Sequence, residues 1–191
     1  MNWEQIKTEH ESVVNEVFGR LRPEIEAFAN EVVAALRAGG KIMICGNGGS
    51  AGDAQHIAGE FINRFLRERK PYAAIALSTD TSSMTAIGND YGFEQVFEKQ
   101  VQALGRKGDI LLGISTSGNA ANVCCAFGAA KRIGIKTVAL TGGTGGRLAL
   151  LADRILAISC TKHTPRIQEG HELTFHLFCE LIEEMMESKQ P

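Results

Sequence analysis

Lys41-Ile-Met-Ile-Cys45-Gly-Asn-Gly-Gly-Ser50 decides the fold. A short apolar run, rich in branched residues and without polar alternation, fits a strand buried on both faces. The glycines behind it end the strand and let the backbone turn into a helix. The same pattern recurs in Ala73–Leu77, Asp109–Ile114, Lys136–Leu140 and Arg154–Ile158. Helical stretches at about 53–67, 93–104, 119–133 and 145–151 separate these runs, and a long one at about 165–187 closes the chain. Strand–helix alternation predicts right-handed crossovers and a parallel sheet covered by helices. Ligands then belong beyond the C-terminal ends of the strands.

Ahead of the first strand, residues 1–40 read as two helices. Ile6, Val13, Val14, Val17, Phe18 and Leu21 recur at helical spacing in the first, and Ile25, Phe28, Ala29, Val32, Val33 and Leu36 in the second. Pro23 suits a helix start and Gly39-Gly40 a helix stop. The 191 residues, 44% apolar and 22% charged, describe one compact domain with a helical extension, not a disordered chain. A net charge of −2 gives no electrostatic reason to expect nucleic acid or an anionic membrane as partner. The best apolar run, Arg147–Ile158, is broken by Asp153 and Arg154, so no membrane span is expected. The N-terminal MNWEQIKTEHES lacks the apolar core of a secretory signal. The five cysteines have no C-x-x-C spacing, which argues against a disulfide framework or zinc ribbon and fits a cytoplasmic protein.

The loops at the expected strand ends are rich in Gly, Ser and Thr: Gly46–Ser50, Ser115–Asn119 and Thr141–Gly146. Such a loop between a buried strand and a helix offers free N–H groups at the positive end of a helix dipole, which is an anion site. Ser115, Thr116 and Ser117 add three hydroxyls, a good match for a phosphate monoester. Simple capping of the following helix is the competing explanation. No Gly-Lys-Ser/Thr follows a glycine loop, so the nucleoside-triphosphate loop is absent. Gly46–Ala51 matches G-x-G-x-x-A, with Asp80 as a late acidic candidate for a dinucleotide ribose.

His56 and Glu60, four residues apart, share a helix face near the first loop. Gln168 and His176 lie two turns apart on the last helix, with His171 and Glu172 nearby. Two readings stand. Two His, one Glu and one Gln suit a borderline metal such as Zn²⁺ through N and O atoms. Alternatively, Glu60 and His176 are a metal-free acid–base pair. Gly88-Asn-Asp-Tyr-Gly-Phe93 reads as a turn with hydroxyl-binding side chains, Asn89 and Asp90.

Cys45–Ser50, His56-Ile-Ala-Gly-Glu60, Gly88–Phe93, Gly113–Asn119, Leu140–Gly143 and Arg166-Ile-Gln-Glu169 followed by His176 together resemble the phosphoheptose isomerases of the sugar-isomerase (SIS) domain superfamily, over about residues 1–188. The resemblance implies a SIS-type flavodoxin-like three-layer α/β fold, with a five-stranded parallel sheet flanked by helices. An N-terminal helical segment (1–40) precedes a phosphosugar-binding domain (41–191). It implies interconversion of sedoheptulose 7-phosphate and D-glycero-D-manno-heptose 7-phosphate, the first step towards the ADP-heptose of the lipopolysaccharide core. It also implies a homotetramer with active sites at subunit contacts, and one Zn²⁺ per subunit on His56, Glu60, Gln168 and His176. Glu60 and His176 are the implied catalytic pair. The implied substrate contacts are Asn47, Gly48, Gly49, Ser50, Glu60, Arg64, Asn89, Asp90, Ser115, Thr116, Ser117 and Gln168.

Two positions depart from the family pattern. Ala120 stands where Ser is frequent, and Thr164-Pro165 where an Asp often precedes Arg-Ile-Gln. Rival readings are a non-catalytic SIS relative that binds the replication initiator, a phosphosugar-sensing regulator and a dinucleotide-dependent dehydrogenase. The presence of Glu60 argues against the first. The short acidic N-terminal segment argues against the second.

Overall fold

A computed structural model describes residues 1–188; residue 191, the expected end of the second segment, lies outside them. Two helices open the chain, α1 (Trp3–Phe18) and α2 (Arg22–Arg37). The Asn2 side chain caps α1 by accepting from the Gln5 N–H, and Pro23 sits in the first turn of α2. There follow β1 (Ile42–Gly46), α3 (Gly49–Ile62), β2 (Ala74–Ala76), α4 (Thr81–Tyr91), a 3-10 turn (Phe93–Gln95) and α5 (Val96–Leu104). The second half is β3 (Ile110–Ser115), α6 (Ala121–Ile133), β4 (Lys136–Gly142), α7 (Leu148–Leu151), β5 (Arg154–Ile158) and α8 (Thr164–Glu187).

The five strands form one parallel sheet in the order β2-β1-β3-β4-β5. This is the flavodoxin-like doubly wound order, and the chain reverses direction across the sheet between β1 and β3. Gly46 pairs with Ile114 and Ser115 with Thr141, so three loops leave the sheet at one edge, side by side.

The absence of polar alternation in the strands has a simple cause. Ile42 and Ile44 face one core with Phe28, Phe61, Phe175 and Phe178. Met43 and Cys45 face another, with Phe97, Val101 and Phe127 from α5 and α6. Helices α1 and α2 pack along α8 on the first side, where Phe28 meets Phe178 edge-on at 4.9 Å between centroids. Cutting such a buried ring back to Ala costs about 3–5 kcal/mol.

Three local expectations change. Helix α3 begins at Gly49, not near residue 53, so Gly49 and Ser50 belong to its first turn, and it stops at Ile62. Gly88–Tyr91 is not a turn but the last turn of α4, and the break comes at Gly92. The stretch at 145–151 is helical only over Leu148–Leu151, because Gly145 and Gly146 hold left-handed backbone conformations.

Candidate active site

The site is built on the seam between α3 and α8. Gly49, Asp53, His56 and Glu60 fall at helical spacing on one face of α3. Gln168, Glu172 and His176, each one turn apart, form the facing row on α8. Register across the seam is set by contact at its ends. A Cβ on Gly49 would clash with Nε2 of Gln168, so glycine lets the amide lie directly against the start of α3. Further along, the His56 ring meets Phe175 and His176 at 5.1 and 5.2 Å, and His176 stacks on Phe65 at 5.7 Å.

His56 Nε2 lies 3.0 Å from Oε1 of Glu60, an i,i+4 pair at the surface. Donor atoms of His56, Glu172 and His176 all lie within 4.8 Å of one another. Two imidazoles and one carboxylate at that separation fit a borderline cation such as Zn²⁺. Asp53 completes the polar seam. Its carboxyl is pushed up to about 6 by burial and then by the charge of Glu172, against a smaller opposing effect of His56. One of its oxygens is buried with no hydrogen-bond partner.

The two Ser/Gly loops meet this seam at the N-terminal end of α3. Asn47 and Asn122 exchange amide hydrogen bonds: Asn47 Nδ2 donates to Asn122 Oδ1 at 2.9 Å and Asn122 Nδ2 donates back at 2.8 Å. That pair ties the loop after β1 to the first turn of α6. The carbonyl of Thr116 packs beside Gly142 and Ile167, which brings the loop after β3 to the start of α8. Gly118 has φ +66° and lies against the Gly145 backbone, so a side chain there would collide with the neighbouring loop. Ser115 is buried and its hydroxyl makes no hydrogen bond among the described residues, whereas Ser117 Oγ accepts from the Asn119 N–H at 3.2 Å. Ala120 occupies the N-cap of α6 without a side-chain cap, so the departure from Ser leaves that helix end one hydroxyl poorer.

Not every expected residue gathers here within one chain. The Arg64 guanidinium lies beyond the end of α3 and pairs with Glu68 at 3.7 Å. Asn89 and Asp90 bond to each other at the exposed C-terminal end of α4, a helix with no buried residue that packs on α5 and the 3-10 turn. Sequence reasoning missed Asp53 and Asn122 as site residues. Helical spacing from Gly49 and His56 was the available signal for Asp53; nothing local marks Asn122. His171, by contrast, points away from the seam into the core, where its Nε2 donates to the Thr141 carbonyl at 3.0 Å and burial pushes its pKa down to about 4. Asp80 is the N-cap of α4, accepting from the Ser83 N–H at 3.0 Å.

The SIS domain family pattern matches residues 7–142. A phosphoheptose isomerase of Nitratidesulfovibrio vulgaris (strain DSM 19637 / Miyazaki F) is 51% identical over 179 residues, covering 94% of this chain and 86% of the relative. The chain belongs to the phosphoheptose isomerase family of SIS-domain proteins. Solved phosphoheptose isomerases agree in three dimensions. The one from Francisella tularensis superposes with a TM-score of 0.89 at 40% identity, over 96% of this chain and 100% of that one. The one from Neisseria gonorrhoeae gives 0.87 at 45% identity, over 95% and 96%. The protein is therefore an isomerase of phosphorylated sugars, and the dehydrogenase reading of the Gly46 loop falls away. Among the described residues no helix is long and apolar enough to cross a membrane.

Proposed function

We propose that the chain interconverts sedoheptulose 7-phosphate and D-glycero-D-manno-heptose 7-phosphate, in the cytoplasm, as the first step towards the ADP-heptose of the lipopolysaccharide core. The carrying observation is the α3–α8 seam, where a carboxylate–imidazole pair and a second imidazole converge beside two anion-binding loops.

The phosphate of the open-chain ketose lies in the Ser115–Ser117 loop, against the uncapped N-terminus of α6. Asn47, Gly48, Gly49, Ser50 and Gln168 line the adjoining end of α3 and bind the sugar hydroxyls. Glu60 takes a proton from C1, leaving an enediolate, and returns it to C2. His176 protonates O2 as the electron pair moves there and accepts the proton of O1 as the aldehyde forms, so no net proton is gained or lost. Opposed acid and base on neighbouring carbons are what enediolate isomerases share. His56, Glu60, Gln168 and His176 are the expected metal-holding residues; when bound, Zn²⁺ supplies positive charge to polarise the carbonyl oxygen.

Arg64, Asn89 and Asp90 stand apart from the seam, which favours their entry into a neighbouring subunit's site. A homotetramer fits that placement. Trp3 and Phe18 are 73% and 54% exposed, and α1, α2 and α8 border a groove of about 310 Å³ with an apolar floor of Val17, Ile25, Leu177 and Leu181 and charged residues, Arg22, Glu26, Glu180 and Glu184, beside it. Residues 1–40 then act as an oligomerisation segment ahead of a phosphosugar-binding domain.

A coupled assay on sedoheptulose 7-phosphate, with and without chelator, tests this reading. Turnover that disappears in Glu60→Gln supports it. A metal-loaded, folded wild type without turnover overturns it.

A further inference from the structure

We propose that Asn122 is a positioning residue for substrate binding, which fixes the amide of Asn47 so that one donor and one acceptor remain for the sugar. The place is the crevice between β1 and β3, where the chain reverses direction across the sheet. Asn47 follows Gly46, which pairs with Ile114 near the end of β3. Asn122 stands across that crevice in the first turn of α6 and is only 3% exposed. Two amide hydrogen bonds, of 2.9 and 2.8 Å, join it to Asn47. The pair therefore bridges the loop that meets the sugar and the helix that follows the phosphate loop.

Hydrogen-bond counting gives the pair a single orientation. A primary amide carries two N–H donors and, on its oxygen, two acceptor lone pairs. The backbone N–H of Val123 donates to Asn122 Oδ1 at 3.0 Å, which identifies that atom as the oxygen. Asn47 Nδ2 supplies a second bond to the same oxygen and fills it. Asn122 Nδ2 is then turned towards Asn47 Oδ1 and donates to it. A backbone N–H of α6 thus dictates which way the amide of Asn47 faces. Within the pair Asn47 uses one N–H and one lone pair and keeps one of each. That remainder complements a hydroxyl group, which both donates and accepts. Without Asn122 the Asn47 amide is free to turn over and offer a hydroxyl the wrong atom. With Asn122 the ordering is complete before the sugar arrives, so binding does not bear its cost. Asn122 acts only through Asn47 and touches no substrate.

The sugar-binding role of Asn47 rests on the isomerase reading above, and a double-mutant cycle tests the positioning role separately. Full-length, metal-loaded wild type, Asn47→Ala, Asn122→Ala and the double variant are compared, with circular dichroism and thermal melts to check folding. KM and kcat are measured on sedoheptulose 7-phosphate. Inhibition by inorganic phosphate reports the Ser115–Ser117 loop without the sugar. Each single variant should raise KM about 10-fold, the scale of a lost hydrogen bond, with kcat within about threefold. The double variant should match Asn47→Ala to within about twofold, because a residue that acts only through Asn47 has nothing left to orient. Phosphate inhibition should stay within about twofold of wild type throughout, as no phosphate-loop hydroxyl is removed. If Asn122→Ala does not fold, Asn122→Asp takes its place. It still accepts from Val123 and from Asn47 Nδ2 and suits a first helical turn, but it cannot donate to Asn47 Oδ1. Its added charge acts in both backgrounds, so the cycle cancels that effect. Wild-type KM in the folded Asn122 variant would overturn the proposal. So would a double variant that shows the product of the two single effects, or, for Asn122→Ala, phosphate binding lost in parallel with substrate. Absent turnover in folded, metal-loaded wild type would instead overturn the isomerase reading, and the role of Asn122 with it.

Discussion

Arg69 and Glu183 form an ion pair at 2.9 Å in which each side chain is only 2% exposed. Glu183 also accepts from the backbone N–H groups of Phe65, Leu66 and Arg67, and Arg69 donates to the carbonyls of Glu60 and Phe61. One pair thus fastens the segment after α3 to α8 and satisfies the carbonyls at the end of α3. Breaking a buried pair from one side strands a charge, which costs about 3–5 kcal/mol. Glu183→Ala and Arg69→Met should each lower stability on that scale in urea unfolding. The double variant Arg69→Met with Glu183→Ala should be less damaged than the sum of the two singles, because neither charge is then left stranded, yet less stable than either single, because the backbone groups both side chains serve lose their partners. A double variant as damaged as the sum of the singles would show that the charges act independently.

Glu60→Gln keeps the size of the side chain and removes the proposed base. We expect kcat to fall about 100-fold or more, the usual contribution of a positioned base, with the melting temperature near that of wild type. His176→Asn should also lower kcat. Near-normal turnover of both folded variants would remove the acid–base assignment.

Ser115 and Ser117 separate phosphate binding from capping. The Ser115 hydroxyl has no partner among the described residues, so Ser115→Ala should weaken substrate binding by about 1–2 kcal/mol without lowering the melting temperature. Ser117 Oγ already accepts from Asn119, so Ser117→Ala should lose binding and a little stability together. Isothermal titration with substrate beside thermal melts resolves the two. Normal binding in both variants would move the phosphate elsewhere.

Acid should destabilise the fold in two windows. Burial depresses the pKa of His171 to about 4, so the unfolded chain takes up its proton first. Its contribution, about 3 kcal/mol for a group shifted this far from 6.5, is complete above pH ~6.5 and lost as pH falls towards 4. Burial opposes ionisation of Glu16, yet hydrogen bonds from Ser159, Cys160 and Arg20 hold it at about 2. Its contribution is complete above about 4.5 and lost as pH falls towards 2. Urea unfolding against pH should show both slopes. His171→Gln should flatten the upper one and Glu16→Gln the lower; a variant that leaves its slope unchanged would reassign that window.

The sequence alone determined the sheet, because burial of a strand on both faces writes itself into a few adjacent residues. Ile42 to Cys45 are apolar throughout since alternate side chains enter different cores, and that signal survives without any knowledge of the partners. It marked the glycine loops and the pairing of His56 with Glu60 for the same reason: four residues of helix bring them together locally. Helix α4 escaped notice because it buries nothing and so carries no apolar stripe, while Gly88-Asn-Asp imitates a turn. Only the tertiary structure chose between the histidines of α8. His171 and His176 are five residues apart, and the rotation of α8 against the sheet sends one into the core and the other to α3. The same packing brought Gln168 against Gly49, Asn122 against Asn47, and Glu172 between two imidazoles. Across the seam and between the loops, those contacts join residues 75 to 119 positions apart. They depend on how whole helices dock, which is decided by Phe28, Phe61, Phe175 and Phe178 in the shared core and not by any local spacing.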